Sequence, residues 1–461
     1  MHFELIYDKS LAQASYLIGC QKAGIAAVID PKRDVDTYLK IAKENNFKIT
    51  HILETHIHAD FLCGSRELAA LTGGEMFLSD EGDQDWKYEF PHTKVKHGDV
   101  IKIGNISIEA IHTPGHTPEH LSFLLTDHPA TDKPAMLFTG DFVFVGDVGR
   151  PDLLEQAAGI KGTQEKGAHD LLDSLKDFVK MEDHILLWPG HGAGSACGKA
   201  LGAVNMSTIG YEKIRNWALQ KLNDKAAFTD ELLADQPEPP RYFAKMKELN
   251  KVDRKLLTEV PKIKNLSKEA YEEAKRKDLK MIDARPKGQF ANGFLKGSLN
   301  IPNDNSFSSW MGWFLNYEEY FVLIADESEV EDLTRKLMRI GMDNIHGFIT
   351  PQQLADFEKG NLSAYDSINK STVENKMTDE NVQIVDIRGK SEYNDGHIDG
   401  AVNVFMGDMD ENMDKISKNK EVIIYCNSGN RSAVAYSLLT AHGFENILNY
   451  AGGWSDWSER D

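Results

Sequence analysis

The chain has 461 residues, a formal net charge of −20 and a hydrophobic fraction of 41%, which suits a globular protein of roughly three domains. The negative charge argues against nucleic acid and anionic membranes as partners, because both require a basic face. No run approaches the roughly 18 apolar residues that span a bilayer, and the N-terminus lacks a signal-peptide pattern. We therefore expect a cytoplasmic homo-oligomer whose four scattered cysteines are reduced.

Short β-rich runs alternate with glycine-rich turns over residues 1–205. Five of these runs predict strands that end in polar turns, which is typical of an α/β sandwich with a functional site at the strand ends. They are IAAVID (25–30), ITHILETH (49–56), ISIEAIHT (106–113), LSFLLT (121–126) and ILLWPGH (185–191).

Imidazole and carboxylate side chains collect at the ends of these strands, in the patterns HxHxD, PGHT, TGD and PGH. Burying so many of these groups unpaired would be costly, so their convergence from separate loops predicts a metal site. The patterns resemble the metallo-β-lactamase superfamily over the first two hundred residues, which implies its αββα sandwich. The residues that carry the patterns are His56, His58, Asp60, His116, Asp141 and His191.

One position departs from the dinuclear hydrolases of that superfamily. They read HxHxDH, and the last histidine helps to hold a second metal, whereas this chain has Phe61, which cannot ligate. We therefore expect a mononuclear centre. The pattern is similar to the persulfide dioxygenases, whose two histidines and one aspartate leave coordination positions open for substrate and O2. This resemblance implies one Fe(II) per chain, held by His56, His116 and Asp141.

The other polar residues of this region are expected around the metal rather than on it. The resemblance implies that His58, Asp60 and His191 orient the ligands or hydrogen-bond the substrate. Arg150 belongs to a GR.D element shortly after the Asp141 strand, and we place it beside these groups or near the substrate.

Three cysteines have no assigned chemistry. Cys197 lies six residues beyond His191 in a glycine-rich turn, and both a persulfide-carrying role and a structural role are open. For Cys20, near the end of a predicted strand, and Cys63, just past the HxHxD turn, we favour a structural role.

The segment that follows predicts how the first domain ends. Residues 207–230 have apolar spacing and predict a helix. The proline cluster at 236–240 then stops helical structure. We place a metallo-β-lactamase-like domain with C-terminal helices over residues 1–255.

Two segments of the C-terminal half repeat each other. MIDARPKGQFANGFLKGSLNIP (281–302) aligns with IVDIRGKSEYNDGHIDGAVNVF (384–405) at a constant offset of 103. The repeat predicts two small α/β domains with parallel sheets, which we place at 265–365 and 370–461. Shared residues are Asp283, Arg285, Gly293, Gly297 and Asn300, opposite Asp386, Arg388, Gly396, Gly400 and Asn403.

The two copies differ after a later strand. The second copy has Cys426, a glycine-containing loop and Arg431, and the first copy has Ala325 and no cysteine. Backbone N–H groups and the helix that follows would stabilise a thiolate or persulfide at Cys426, and Arg431 adds a cation for an anionic sulfur donor or acceptor. The four-residue spacing resembles the rhodanese family, which implies a pseudo-rhodanese followed by an active rhodanese.

The order of the domains resembles the bacterial three-domain persulfide dioxygenase–sulfurtransferases of the CstB type. The resemblance implies oxidation of a low-molecular-weight thiol persulfide with O2 to sulfite, and sulfur transfer by Cys426 to sulfite to give thiosulfate, in sulfide detoxification. Two alternatives stay open. One is a glyoxalase II-like zinc thioesterase fused to a sulfurtransferase, and the other is a non-enzymatic persulfide carrier or sensor.

Overall fold

The computed structural model describes residues 1–153, 155 and 162–459, and it divides into two compact units. The first unit comprises Met1–Pro261 with Met338–Gly341, and the second comprises Lys262–Leu337 with Met342–Asp461. Within the described residues, no helix combines the length and the apolar character that crossing a membrane requires.

Two six-stranded sheets form the first unit, and each keeps its strands in chain order. The first sheet contains β1 (His2–Asp8), β2 (Gln13–Cys20), β3 (Ile25–Ile29), β4 (Lys48–Leu53), β5 (Glu75–Ser79) and β6 (Thr93–Val95). The second contains β7 (Val100–Ile103), β8 (Ile106–His112), β9 (Leu121–Asp127), β10 (Met136–Gly140), β11 (Leu186–Pro189) and β12 (Ser207–Thr208).

The core lies between these two sheets. Tyr16 and Ile18 from the first sheet pack with Phe123 and Phe138 from the second, and all four are buried. These residues alternate along their strands, because successive side chains of a strand point to opposite faces. Burial of two facing apolar surfaces is the main force that holds the sheets together.

Helices cover the outer faces of both sheets. On the first sheet, α1 (Asp36–Glu44) buries Tyr38 against Val28 and Ile52. On the second, Leu171 of the long helix Thr163–Phe178 packs against the outer face. The αββα sandwich expected from the sequence is confirmed. The long helix Thr163–Phe178 is α3. The other described helices of the first unit are α2 (Ser65–Thr72), α4 (Ile209–Arg215), α5 (Lys225–Leu233) and α6 (Phe243–Lys251), with 3-10 turns at Gln84–Trp86 and Ala218–Lys221.

The helix expected over 207–230 is wrong, because the segment forms β12 and then α4, a 3-10 turn and the start of α5. The break lies at Asn216, which leaves helical conformation with ψ 120°. Its side-chain amide donates to the Asp147 carbonyl at 2.9 Å and to Glu212 at 3.1 Å. These tertiary hydrogen bonds compete with helix continuation, which apolar spacing does not reveal.

The second unit contains two smaller parallel sheets, as expected from the repeat. The first has the order β14-β13-β15-β16, with β13 (Lys280–Asp283), β14 (Leu299–Asn300), β15 (Phe321–Ile324) and β16 (Ile345–Ile349). The second has the order β17-β21-β20-β18-β19, with β17 (Ser367–Ile368), β18 (Val382–Asp386), β19 (Val402–Asn403), β20 (Glu421–Tyr425) and β21 (Ile447–Tyr450).

The helices of this half of the chain alternate with the strands. A 3-10 turn at Glu327–Glu329 follows β15, and a 3-10 segment at Met406–Lys415 precedes β20. The α-helices are α7 (Lys268–Arg276), α8 (Lys287–Asn292), α9 (Phe307–Phe314), α10 (Val330–Arg339), α11 (Pro351–Phe357), α12 (Lys370–Lys376), α13 (Lys390–Asn394), α14 (Asn430–Ala441) and α15 (Gly453–Ser458).

The two repeats share a buried ion pair at the end of their first long strand. Arg285 bonds Asp283 at 2.6 Å and donates to a glycine carbonyl at 2.8 Å. Arg388 bonds Asp386 at 2.6 Å and donates to the equivalent glycine carbonyl at 2.6 Å. The residues common to both copies therefore hold the turn that follows the strand, which is a structural role.

Candidate metal centre and cysteine site

The structure brings the three predicted metal ligands together at strand ends. His56 follows β4, His116 lies between β8 and β9, and Asp141 follows β10. All three are buried, and their ligand atoms lie within 4.8 Å of one another. Asp141 Oδ2 is 4.0 Å from His56 Nε2 and 3.6 Å from His116 Nε2.

Three ligand atoms of this group make no hydrogen bond to the described part of the protein. Within the described residues, His56 Nε2 and both carboxylate oxygens of Asp141 are buried without a hydrogen bond. In an apolar environment, burying a polar atom without a hydrogen bond costs on the order of several kcal/mol. A divalent cation would satisfy all of them, so the donor set fits a metal with two imidazole ligands and one carboxylate.

Hydrogen bonds fix His56 in the form that can ligate. The Thr55 hydroxyl donates to Asp30 at 2.8 Å, so its oxygen accepts from His56 Nδ1 at 2.9 Å. The proton is then on Nδ1 and the lone pair is on Nε2. Burial, together with the neighbouring His58 and His120, holds the pKa of His56 well below its usual range, which keeps the ring neutral.

His116 and Asp141 are fixed by backbone contacts. His116 Nδ1 donates to the Arg150 carbonyl at 2.9 Å, which leaves its Nε2 free for a metal. The Asp141 N–H donates to His120 Nε2 at 3.1 Å. Gly140 before it has φ 48°, and a Cβ there would lie 2.6–2.7 Å from Thr55 and His120 atoms. Only glycine fits this turn.

His58 lies beside the centre but is paired elsewhere. Its Nε2 is 3.1 Å from Asp30 Oδ1. Burial alone would lower the pKa of His58, but the Asp30 and Asp60 carboxylates raise it to about 9. His58 Nε2 is thus paired with Asp30 and does not belong to the group of three ligand atoms. Its expected place outside the ligand set stays a prediction.

A second group of three buried ligand atoms comes from Asp60, His191 and Cys197. His191 Nε2 is 3.2 Å from Asp60 Oδ2 and 3.5 Å from Asp141 Oδ1. Cys197 was expected near the metal with its role left open, and it lies in this second group. Burial and the nearby carboxylates of Asp141 and Asp60 raise the pKa of the Cys197 thiol well above its usual range. The thiolate is the form of cysteine that ligates a metal, and the raised pKa favours the neutral thiol of Cys197 instead.

Arg150 is completely buried and its guanidinium is fully occupied. It pairs with Asp152 at 2.6 Å and donates to the carbonyls of Ala196 at 3.1 Å and Pro237 at 2.6 Å. The expected contact with substrate is therefore not available to this side chain. The backbone carbonyl of Arg150 instead accepts from His116 Nδ1 and orients that ring, so Arg150 supports one of the predicted metal ligands.

Cys426 directly follows β20, and the loop after it wraps the sulfur. The Gly429 N–H donates to Cys426 Sγ at 3.1 Å, and α14 begins at Asn430. Gly429 has φ 79°, and a Cβ there would lie 2.3 Å from the Ala451 carbonyl oxygen. The backbone donors and the positive end of the helix stabilise negative charge on sulfur.

Arg431 carries its charge next to this loop, already paired. Its two Nη atoms bond the Glu392 carboxylate at 2.6 and 2.7 Å. Burial disfavours the charged Arg431, and the adjacent Glu392 more than offsets this and raises the arginine pKa. The guanidinium therefore fixes the loop against α13, and Glu392 offsets the positive charge predicted to attract an anionic sulfur compound.

The other two cysteines, for which a structural role was favoured, are buried and hydrogen-bonded in the first unit. Cys20 is buried in the core between the sheets, and its sulfur accepts from the Asn105 N–H at 3.3 Å. The Cys63 thiol bonds the Pro31 carbonyl at 3.3 Å, and burial raises its pKa well above the usual range.

Sequence reasoning missed the residues that orient the ligands. Asp30 ends β3 in a left-handed conformation, φ 49°, and bonds Thr55 twice as well as His58. An acidic residue at the end of an apolar strand was the available signal. His120 lies inside the HTPGHTPEH segment, where only His116 received a role.

Comparisons with known proteins match the two parts of the chain that contain these sites. Residues 10–191 match the family model described as metallo-beta-lactamase superfamily. Residues 369–460 match the model described as rhodanese-like domain. A solved metallo-beta-lactamase from Staphylococcus aureus subsp. aureus COL is 44% identical, with a TM-score of 0.71, and the match covers 76% of this chain and 99% of that one.

Two relatives of the first domain carry different activities in their names. The hydroxyacylglutathione hydrolase of Rhodospirillum rubrum is 34% identical over 38% of this chain and 60% of its own length. The mitochondrial persulfide dioxygenase ETHE1 of Bos taurus is 30% identical over 40% of this chain and 66% of its own length. The chain thus spans about three fifths to two thirds of these relatives.

Proposed function

We propose that this chain, which belongs to the metallo-beta-lactamase superfamily and carries a C-terminal rhodanese-like domain, is a persulfide dioxygenase coupled to a sulfurtransferase. The observation that carries the proposal is the buried trio of two imidazoles and one carboxylate, in which His56 Nε2 and both Asp141 oxygens make no hydrogen bond within the described part of the chain. The same chain holds a cysteine whose sulfur accepts from the backbone N–H of Gly429 at 3.1 Å. Its substrates would be a low-molecular-weight thiol persulfide, O2 and sulfite.

His56, His116 and Asp141 would hold one Fe(II). Bound there, Fe(II) would supply the activation of O2 that oxidises a persulfide sulfur to sulfite. The protein's part is positional. Asp30, acting through Thr55, and the Arg150 carbonyl keep Nε2 of both imidazoles directed inward. The persulfide dioxygenase relative from Bos taurus supports this assignment.

Cys426 would carry the second half-reaction. Its thiolate attacks the outer sulfur of a persulfide, R–S–SH. A new S–S bond forms between Cys426 and that sulfur, the S–S bond within the donor breaks, and R–S⁻ leaves. The Cys426 persulfide loses the proton of its outer sulfur, and sulfite then attacks that sulfur. The S–S bond to Cys426 breaks, thiosulfate leaves, and the Cys426 thiolate is regenerated. The Gly429 N–H, 3.1 Å from Sγ, stabilises the thiolate in both steps.

Anaerobic loading with Fe(II), followed by O2 uptake with several thiol persulfides, tests the dioxygenase. We expect one iron per chain, persulfide-dependent O2 uptake, and sulfite and thiosulfate as products. Zinc-loaded protein is the control, since zinc has no redox chemistry. Absence of O2 uptake in fully iron-loaded protein would reject the dioxygenase.

A glyoxalase II-like zinc thioesterase is the second candidate, and one specific observation favours it. Asp60, His191 and Cys197 offer a second set of ligand atoms next to Asp141, and hydrolases of this superfamily use two metals. The hydroxyacylglutathione hydrolase of Rhodospirillum rubrum is a comparable relative. Two zinc ions per chain and hydrolysis of glutathione thioesters, without O2 uptake, would favour this function.

We also propose that the chain works in the cytoplasm. All four cysteines are free and buried, as thiols are in a reducing compartment. Fractionation of cells that express the chain, with a cytoplasmic and an exported marker, tests this location.

A further inference from the structure

The repeat without a cysteine contributes to a pocket beside the Cys426 loop. Both repeats belong to the second unit, and the pocket between them has a volume of about 300 Å3. Most of its wall comes from the cysteine-less repeat, including Lys287, Asp304 and Trp310, and the active repeat contributes Asn430 and Arg431. The pocket therefore reaches the last two residues of the loop that begins at the reactive cysteine.

Lys287 brings a positive charge to the mouth of this loop. It is half-buried, and its Nζ donates to Asn430 Oδ1 at 2.7 Å and to the Ser428 carbonyl at 3.4 Å. Both acceptors are uncharged, whereas Arg431 close by is neutralised by Glu392. Lys287 is therefore the cation of this pocket that is available to an anionic group of a ligand.

The same pocket also offers negative charge and an apolar surface. Asp304 accepts from the Ser306 N–H and hydroxyl at 2.8 and 2.7 Å, and Glu329 accepts from Asn303 at 3.4 Å. None of these donors is charged, so these contacts do not offset the negative charge of either carboxylate. Trp310 adds an indole ring to the wall. A ligand that carries both an anionic and a cationic group fits this arrangement.

We propose that this pocket binds the organic part of the sulfur donor, and that the donor is the persulfide of a small amino-acid-derived thiol. Its carboxylate would bind Lys287 and its ammonium group would face Asp304 and Glu329. The volume is at the lower end of small-molecule sites and exceeds what a four-atom oxyanion such as sulfite needs. This inference rests on the proposed sulfurtransferase function and names its substrate class.

The internal repeat provides a matched control for Lys287. Lys390 lies 103 positions later and begins α13, just as Lys287 begins α8. Lys390 is exposed and does not line the pocket. The variants Lys287→Ala and Lys390→Ala thus remove the same side chain from equivalent positions, and only the first change reaches the proposed site.

Direct binding is measured with S-methylcysteine, a stable analogue whose sulfur cannot be transferred. Calorimetry on the full iron-loaded chain should show binding to the wild type, about tenfold weaker binding to Lys287→Ala, and unchanged binding to Lys390→Ala. Absence of binding to the wild type, or equal affinity in all three proteins, would overturn the proposal. An equal loss in both variants would overturn it as well.

Thiosulfate formation from sulfite gives the second measurement. With cysteine persulfide, Lys287→Ala should raise KM about tenfold and leave kcat unchanged, and with the uncharged persulfide of 2-mercaptoethanol neither constant should change. A KM increase of the same size for both donors would overturn the charge recognition. If S-methylcysteine binds in a Lys287-dependent way and the wild type makes no thiosulfate, the proposed sulfurtransferase function fails and the pocket assignment stands.

Discussion

The metal centre and the cysteine site are built in opposite ways. The three metal ligands come from three separate strand ends, and groups far away in sequence orient them, such as Asp30 through Thr55. The cysteine site is made mostly by six consecutive residues, from Cys426 to Arg431, in which the Gly429 N–H donates to the sulfur and a helix begins at Asn430.

This difference predicts how each site responds to mutation. A metal centre that needs several distant orienting groups loses function when any one of them changes, even when the ligands remain. A loop that uses its backbone as the donor tolerates changes outside it and depends on one atom, the sulfur. The predictions below test both halves of this contrast, beginning with the largest expected effect.

The largest effect is expected for His116→Ala, which removes one of three ligands. We expect loss of iron binding and of persulfide-dependent O2 uptake, because the two remaining ligands hold the metal weakly. Sulfur transfer by Cys426 should persist. Iron content, O2 uptake and thiosulfate formation are measured on the same preparation.

His128→Ala is the control for this variant. His128 is exposed, and its side chain bonds Ser107 at 2.8 Å, away from the predicted ligands. Its iron content and O2 uptake should match the wild type. Normal iron content in His116→Ala would show that the ligand assignment is wrong.

Cys426→Ser should abolish enzymatic thiosulfate formation and leave O2 uptake in place. A hydroxyl does not ionise near neutral pH and does not carry sulfane sulfur. Sulfite should therefore accumulate instead of thiosulfate, which separation of the two anions after a fixed turnover would measure. Cys20→Ser, a change in the sandwich core, should leave the product ratio unchanged. A wild-type ratio in Cys426→Ser, beyond the uncatalysed reaction, would contradict the role of the cysteine.

The contrast between the sites also explains what the sequence could reveal. The cysteine loop is contiguous, so its spacing predicted both the nucleophile and its backbone setting. The metal ligands follow strands in short patterns, and the structure brings the predicted His56, His116 and Asp141 together. Short β-rich runs between glycine-rich turns likewise predicted five strands of the sandwich, β3, β4, β8, β9 and β11.

What the sequence concealed depends on contacts between distant segments. Asp30 is 25 residues before Thr55, and only the parallel pairing of β3 with β4 places them side by side. The break at Asn216 depends on Asp147, 69 residues earlier. Apolar periodicity carries no information about such partners, so the helix over 207–230 was predicted too long.

Asp30→Asn should reduce iron affinity about 10- to 100-fold, which is typical for loss of a group that orients a metal ligand. The amide keeps the size of the carboxylate but loses the charge that holds the Thr55 hydroxyl and His58. Iron release to a chelator and O2 uptake are the measurements. Asp132→Asn, almost fully exposed at a side-chain accessibility of 99%, is the control. Unchanged iron retention in Asp30→Asn would show that the ligands need no distant support.

The smallest effect is expected at Glu119, which accepts from the Ile57 N–H at 2.7 Å next to the metal ligands. Burial raises the pKa of Glu119 to about 7 in the folded protein, above its ordinary value of 4.5. Between about pH 4.5 and 7 the folded state therefore holds a proton that the unfolded state lacks, so stability decreases over this window and levels off above pH 7. Glu119→Gln keeps the acceptor for Ile57 and removes this titration. Between pH 6 and 8 the wild type should lose about 1 kcal/mol of unfolding free energy relative to the variant. Denaturant unfolding of both proteins at each pH measures this difference. A difference that stays constant with pH would show that the carboxyl contacts solvent or a cation.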